Sequence, residues 1–235
     1  EGARRLWVQG DSLPAECDPL FERWQASGAL TDEVVWTRLL NSFAARQRSL
    51  LQFVAKKGSA QLTPWAEKLL AVYDHPESLK NLALPVDSPY SADIASQGLA
   101  YLAGSNPQEA LSYWTAIRQR LNFTAEQVRS VEHAIAQQSL FSRIEEHREW
   151  LEAALARMGD DRLVGIRLRW ALSEQDWAAV EHNLSLLSAA EREEHVWRYW
   201  QAIVQERGGA TASAQTALEE LAGERDFYGF LAADK

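Results

Sequence analysis

Cysteine occurs once in this chain of 235 residues, at Cys17. A single thiol excludes an internal disulfide framework and any cysteine-rich metal site. It leaves Cys17 as either a small buried hydrophobe or one half of a disulfide whose partner lies elsewhere. Long apolar runs are missing too. Nothing approaches the ~18 apolar residues of a membrane span, and the longest uncharged stretch, Ile94–Gln108, is interrupted by Ser96, Gln97, Gly98 and Asn106. Positive charge is scarce: 24 Lys and Arg stand against 33 Asp and Glu, a net charge of −9. A surface of that sign repels phosphate backbones, which removes nucleic acid as a principal partner. No secretory leader opens the sequence, because Glu1-Gly-Ala-Arg-Arg-Leu-Trp7 reads as the middle of a helix. The protein is therefore either cytosolic or begins downstream of an export signal.

The motifs of common catalytic sites are also missing. There is no Gly-x-Ser-x-Gly, no phosphate loop with Gly-Lys-Ser/Thr, no His-Glu-x-x-His and no His-x3-His. Four histidines follow a glutamate, in Glu132-His133, Glu146-His147, Glu181-His182 and Glu194-His195. Neighbours on a helix point about 100° apart, so none of these is a ready pair of metal ligands, and exposed polar faces are their expected setting. Glu77-Ser78 sets a carboxyl beside a hydroxyl, which can do acid–base work when buried. Here Pro76 at N1 puts Glu77 in the first exposed turn of a short helix, where acidic residues favour the macrodipole. The sequence nominates no catalytic, cofactor-binding or metal-binding residue, and no cofactor.

What is present is an ordinary globular balance, 46% hydrophobic and 24% charged, in a chain long enough to bury a sizeable core. Ten tryptophans stand out. They sit at helical spacing beside Leu, Ile and Val, which makes core packing their expected role.

Helix signals recur throughout, with almost no strand pattern. Ala3–Gln9 ends at Gly10, and Asp18-Pro19 supplies an N-cap and an N1 proline for a helix reaching Gly28. Thr31 or Asp32 caps the next, with Val35, Leu39 and Phe43 on one stripe. Helices over Ser49–Lys56, from Thr63-Pro64 to Tyr73, over Pro76–Leu82 and over Ala92–Ala103 follow, interrupted by a proline-bearing loop at Leu84–Tyr90. Asn106-Pro-Gln-Glu109 and Thr124-Ala-Glu-Gln127 are capping boxes. Further helices are predicted near 144–157, 161–173 and 176–187, the last with Trp177, Val180, Leu184 and Leu187 on one face.

The closing stretch carries the clearest signals. Ser188-Ala-Ala-Glu191 is a further capping box, predicting one helix over Ser188–Arg207 with Val196, Trp197, Trp200, Ile203 and Val204 on one face. Full burial of Trp200 would make its truncation to alanine cost roughly 3–5 kcal/mol. Gly208-Gly209 ends that helix. The partner helix, Thr211–Ala222, offers the smaller face of Ala214, Ala217, Leu218 and Leu221. A third, beginning near Asp226, is apolar nearly all round and is expected to pack on further polypeptide. Short links between many short helices predict an all-α fold, an α-solenoid of antiparallel, tetratricopeptide-like hairpins forming one domain over residues 1–235. Leu84–Tyr90 is the candidate break. Pro107-Gln-Glu-Ala-Leu111 and Asp176-Trp-Ala-Ala-Val180 loosely match the first helix of a tetratricopeptide repeat, so a peptide-binding adaptor is the alternative function.

Two blocks point to a family. Leu13-Pro-Ala-Glu-Cys-Asp-Pro-Leu-Phe-Glu-Arg-Trp24-Gln-Ala-Ser-Gly28 resembles a segment of the soluble lytic transglycosylases. In the same order come His195-Val-Trp-Arg-Tyr-Trp200-Gln-Ala, Glu206-Arg-Gly and Arg225-Asp-Phe-Tyr-Gly-Phe-Leu-Ala-Ala233. The resemblance implies a periplasmic protein and a superhelix forming part of a ring-shaped scaffold. It also implies partners: peptidoglycan glycan strands and a lysozyme-like catalytic domain. The family cleaves the N-acetylmuramic acid–N-acetylglucosamine β-1,4 bond to a 1,6-anhydro product, using a glutamate-serine motif and a Gly-Leu-Met-Gln segment. Neither setting surrounds Glu77-Ser78, so these 235 residues are expected to be non-catalytic alone. In relatives a cysteine equivalent to Cys17 can pair with one further upstream, which the resemblance makes the disulfide alternative for Cys17.

Overall fold

The structure, a computed structural model, describes residues 1–235 and is entirely helical. The first helices are α1 (Gly2–Trp7), α2 (Asp18–Ala26), α3 (Asp32–Ala44), α4 (Arg48–Ala55), α5 (Thr63–Asp74), α6 (Ser91–Ala103), α7 (Pro107–Ile117) and α8 (Ala125–Phe141). After them come α9 (Arg148–Met158), α10 (Asp161–Glu174), α11 (Trp177–Leu186), α12 (Ala189–Arg192), α13 (His195–Arg207), α14 (Thr211–Leu221) and α15 (Phe227–Ala233). Single 3-10 segments occupy Ala15–Cys17, Pro76–Asn81 and Glu145–His147. Sequential helices pack as pairs, α3 with α4, α6 with α7, α10 with α11 and α13 with α14. This is the all-α array of short stacked hairpins that the capping pattern predicts. The chain divides into two compact units, residues 1–135 and 136–235, and the division falls within α8 rather than at Leu84–Tyr90.

In the first unit the predicted stripe of Val35, Leu39 and Phe43 is fully buried. Phe43 meets Tyr73 and Tyr101 edge-on, at centroid distances of 5.0 and 5.9 Å. Gly98 on α6 is required by close packing, since a Cβ there would lie 2.4 Å from Val72 Cγ1 and 2.6 Å from Leu79 Cδ1. The Asn106 side chain accepts from the Glu109 N–H at 3.0 Å, and Thr124 with Gln127 forms a reciprocal capping box. Asp93 fastens three helices: its carboxylate accepts from the Trp36 indole N–H on α3 and from Gln127 Nε2 on α8, both at 2.6 Å. Burial pushes the Asp93 carboxyl up, and those two donors oppose the shift.

The second unit has two hydrophobic clusters. One gathers Leu151, Leu155, Leu163, Leu168, Trp170 and Trp197, and the other gathers Tyr199, Ile203, Leu218, Leu221 and Ala232. Helix α13 serves both, so it is apolar on two sides rather than along the single predicted stripe. Of the ten tryptophans, Trp7, Trp36, Trp114, Trp170 and Trp197 are buried and the other five half-buried. Trp200 is among the half-buried, so its loss costs less than full burial would imply.

Several predicted boundaries need correction. The stretch Ser188–Arg207 is two helices, α12 and α13. Ser188 Oγ does accept from the Glu191 N–H, at 3.2 Å, but the box is left half closed. Glu191 turns its carboxylate to the Trp197 indole N–H at 2.9 Å, and the Ser188 N–H donates to Asp161 instead. Asp18 is the first residue of α2 and makes no cap, because the 3-10 turn at Ala15–Cys17 runs directly into that helix. At the end of α13 it is Gly209, with φ +89°, that takes the left-handed conformation.

Candidate functional site

The histidine pairs are not all surface features. Glu132 and His147 are buried, against expectation, because helices in a stacked array are covered on more than one face. Glu132 accepts from the Trp114 indole N–H at 3.3 Å and pairs with Arg118 at 3.1 Å. His147 Nδ1 lies 2.7 Å from Ser139 Oγ, and burial pushes its imidazole pKa down. Glu77 sits in the 3-10 segment with an exposed carboxylate 3.4 Å from His75 Nδ1, while the adjacent Ser78 Oγ is buried without a partner. Acid and hydroxyl therefore point into different surroundings. Cys17 is half-buried and unpaired at the end of its 3-10 turn.

The best-defined polar constellation closes the chain. His195 opens α13, and Asp226 is the N-cap of α15. One carboxylate oxygen of Asp226 accepts from the Gly229 N–H at 2.8 Å, and the other is hydrogen-bonded to His195 Nδ1. That contact raises the His195 imidazole and pulls the Asp226 carboxyl down, with the Gly229 N–H adding to the second effect. Gly229 is there of necessity: a Cβ would lie 2.2 Å from the Glu224 carbonyl oxygen. The short α15 is thereby held by its cap, by a backbone close approach and by the Tyr199–Tyr228 ring contact at 5.8 Å.

The outer face of α15 carries Phe227 and Phe230, each about two-thirds exposed (67% and 66%). The closing block Arg225-Asp-Phe-Tyr-Gly-Phe-Leu-Ala thus separates into a cap, a close-contact glycine, inward residues and two outward aromatic rings. Such an arrangement positions an apolar binding face. It assembles no nucleophile with a base.

A second polar network escaped the sequence reading. Arg167 on α10 is wholly buried and donates from Nε to Glu152 Oε1 at 2.7 Å. Glu152 Oε2 accepts from Asn183 Nδ2 at 2.9 Å, and the Arg167 guanidinium stacks 4.8 Å over the Trp170 ring. The signal was available, because Arg167 falls on the stripe of Leu163, Val164, Leu168 and Ala171. No group of three or more His, Cys, Asp or Glu side chains has metal-binding geometry.

No family model matches the chain. It is 25% identical to the soluble lytic murein transglycosylase of Escherichia coli K12 over its whole length, covering 37% of that protein. The lytic transglycosylase Slt of Pseudomonas aeruginosa, solved as an inactive mutant, superposes with a TM-score of 0.82 at 30% identity. That match covers 99% of this chain and 38% of Slt. The 70-kDa soluble lytic transglycosylase in complex with bulgecin A gives a TM-score of 0.81 at 25% identity, with the same two coverages. The chain is thus homologous from end to end to one region of the soluble lytic transglycosylases, and it spans little more than a third of their length.

Proposed function

We propose that these 235 residues form the superhelical scaffold of a periplasmic peptidoglycan lytic transglycosylase, act as one scaffold domain and are non-catalytic alone. The observation that carries this reading is the end-to-end match to a single region of such enzymes at TM-scores of 0.81 and 0.82. In this reading the partners are glycan strands and the parent's own catalytic domain, where the muramic–glucosamine bond is cut to the anhydro product. Trp65, Trp177 and Trp200 are half-buried, with Lys68 over the Trp65 ring and Arg207 over the Trp177 ring, and the remaining exposed part of each indole suits contact with sugars. The outward Phe227 and Phe230 suit packing of α15 on further polypeptide.

Incubation with purified murein sacculi tests the two halves of the reading. The chain is expected to co-sediment with sacculi and to release no anhydro-muropeptides above a buffer control. Substantial release would overturn the non-catalytic assignment. Failure to co-sediment would remove the glycan-guiding role.

A further inference from the structure

Helices α1 to α4 line a solvent-open cavity of about 460 Å³ whose apolar wall includes Trp7, Phe21, Leu50 and Phe53. Arg38 of α3 lines the same cavity and is only 5% exposed. Its guanidinium carbon lies 4.5 Å from the centroid of the Trp7 ring, and its Nε has no hydrogen-bond partner. No carboxylate pairs with it. A cation taken out of water without a counter-charge is costly, so a buried guanidinium facing open space is a standing demand for an anion. Burial depresses its basicity, and no neighbouring acid restores it.

The remaining charges narrow the anion. Lys57, also on the lining, adds a second positive group, while Asp18 and Glu22, one turn apart on α2, add two negative ones. A phosphate dianion would face those two acids. A single carboxylate suits one planar guanidinium, which recognises it with two parallel N–H donors. The aromatic and aliphatic wall then has room for an apolar group attached next to that carboxylate.

We propose that this cavity binds the free carboxylate terminus of a short peptide, with Arg38 as the anion-binding residue and the wall around Trp7 and Phe53 receiving the terminal side chain. The inference is independent of the transglycosylase reading, since any protein carrying this cavity would show it.

The probe is N-acetyl-alanyl-alanine, titrated into the full 235-residue chain beside its C-terminal amide, a neutral analogue of the same shape. Nuclear magnetic resonance of the Trp7 indole N–H and the Arg38 Nε–H reports occupancy. The acid is expected to shift both signals saturably, and the amide to bind about tenfold more weakly or worse. Arg38→Gln is expected to lower affinity for the acid about tenfold, and Lys57→Gln, on an exposed side chain, by about twofold to threefold. Equal shifts from acid and amide would overturn the proposal, as would unchanged binding in Arg38→Gln or tighter binding of inorganic phosphate. If Arg38→Gln fails to fold, the acid–amide comparison on the unaltered chain decides the matter alone.

Discussion

Each unit of the molecule buries an arginine against a tryptophan, and the two are satisfied differently. Arg167 lies 4.8 Å over Trp170 and donates from Nε to Glu152 at 2.7 Å, with Asn183 bracing the other carboxylate oxygen, while its two terminal nitrogens have no hydrogen-bond partner. Arg38 lies 4.5 Å from the Trp7 centroid, has no carboxylate and faces a cavity. Helix position does not separate them, since both sit mid-helix among buried apolar neighbours. The partner does. A buried guanidinium with an acid in reach is part of the core, whereas one facing open space is free to take a ligand.

Truncation should expose this difference with the largest effects in the molecule. Glu152→Ala leaves Arg167 buried and unpaired, and is expected to cost about 3–5 kcal/mol in urea denaturation. Arg167→Met is expected to cost somewhat less, because the Glu152 side chain is 24% exposed and water can reach it. Arg38→Met removes an already unpaired charge, so stability should stay within about 1 kcal/mol of the parent or rise. An Arg38→Met variant as damaged as Glu152→Ala would break the comparison and return Arg38 to the core.

The ring beneath each arginine sharpens the contrast at comparable or smaller cost. Trp170 is packed within the large cluster of the second unit, and Trp170→Ala is expected to lose about 3–5 kcal/mol. Trp7 borders existing empty space, so the void left by Trp7→Ala merges with a cavity that water can enter. A loss nearer 2 kcal/mol is expected, from paired thermal and urea melts. Equal losses would mean that the Trp7 surroundings are as closed as those of Trp170.

The fold was legible where local chemistry and tertiary packing agree. Thr31, Asn106 and Thr124 cap as their spacing predicts, and Val35, Leu39 and Phe43 form the predicted buried stripe. Legibility failed where a side chain preferred a distant partner to the local one. Glu191 chose the Trp197 indole over its own N-cap backbone, which split one predicted helix into two. Arg38, Glu132 and His147 were unreadable as core for a related reason. Their types belong to surfaces on average, and only the covering helices from elsewhere in the chain make them interior. Asp226 was legible as a helix start, but its pairing with His195 spans 31 residues and follows from the fold alone.

The smallest expected effect carries the same lesson to two histidines of the second unit. His195 has a carboxylate partner that raises its pKa, whereas His147 is bonded to the Ser139 hydroxyl and is lowered by burial, which outweighs the opposing charge of Glu146. Free histidine titrates near about 6.5. The His195 contribution is therefore fully present below that pH and fades as pH rises through the raised folded value. Asp226, lowered, adds stability that persists above the ordinary carboxylate range and is lost as pH falls through its folded value. His147 behaves oppositely to His195: stability falls as pH drops from about 6.5 through the lowered folded value, because the unfolded chain takes up its proton first. His147→Asn should flatten the loss on the acid side, while His195→Asn should lose stability below about pH 6.5 and converge with the parent only above the raised folded value of His195. Imidazole resonances followed through the titration should place His195 above free histidine and His147 below. Both resonances below free histidine would mean that burial, not the partner, sets the sign at both positions, and would undo the argument drawn from the two arginines.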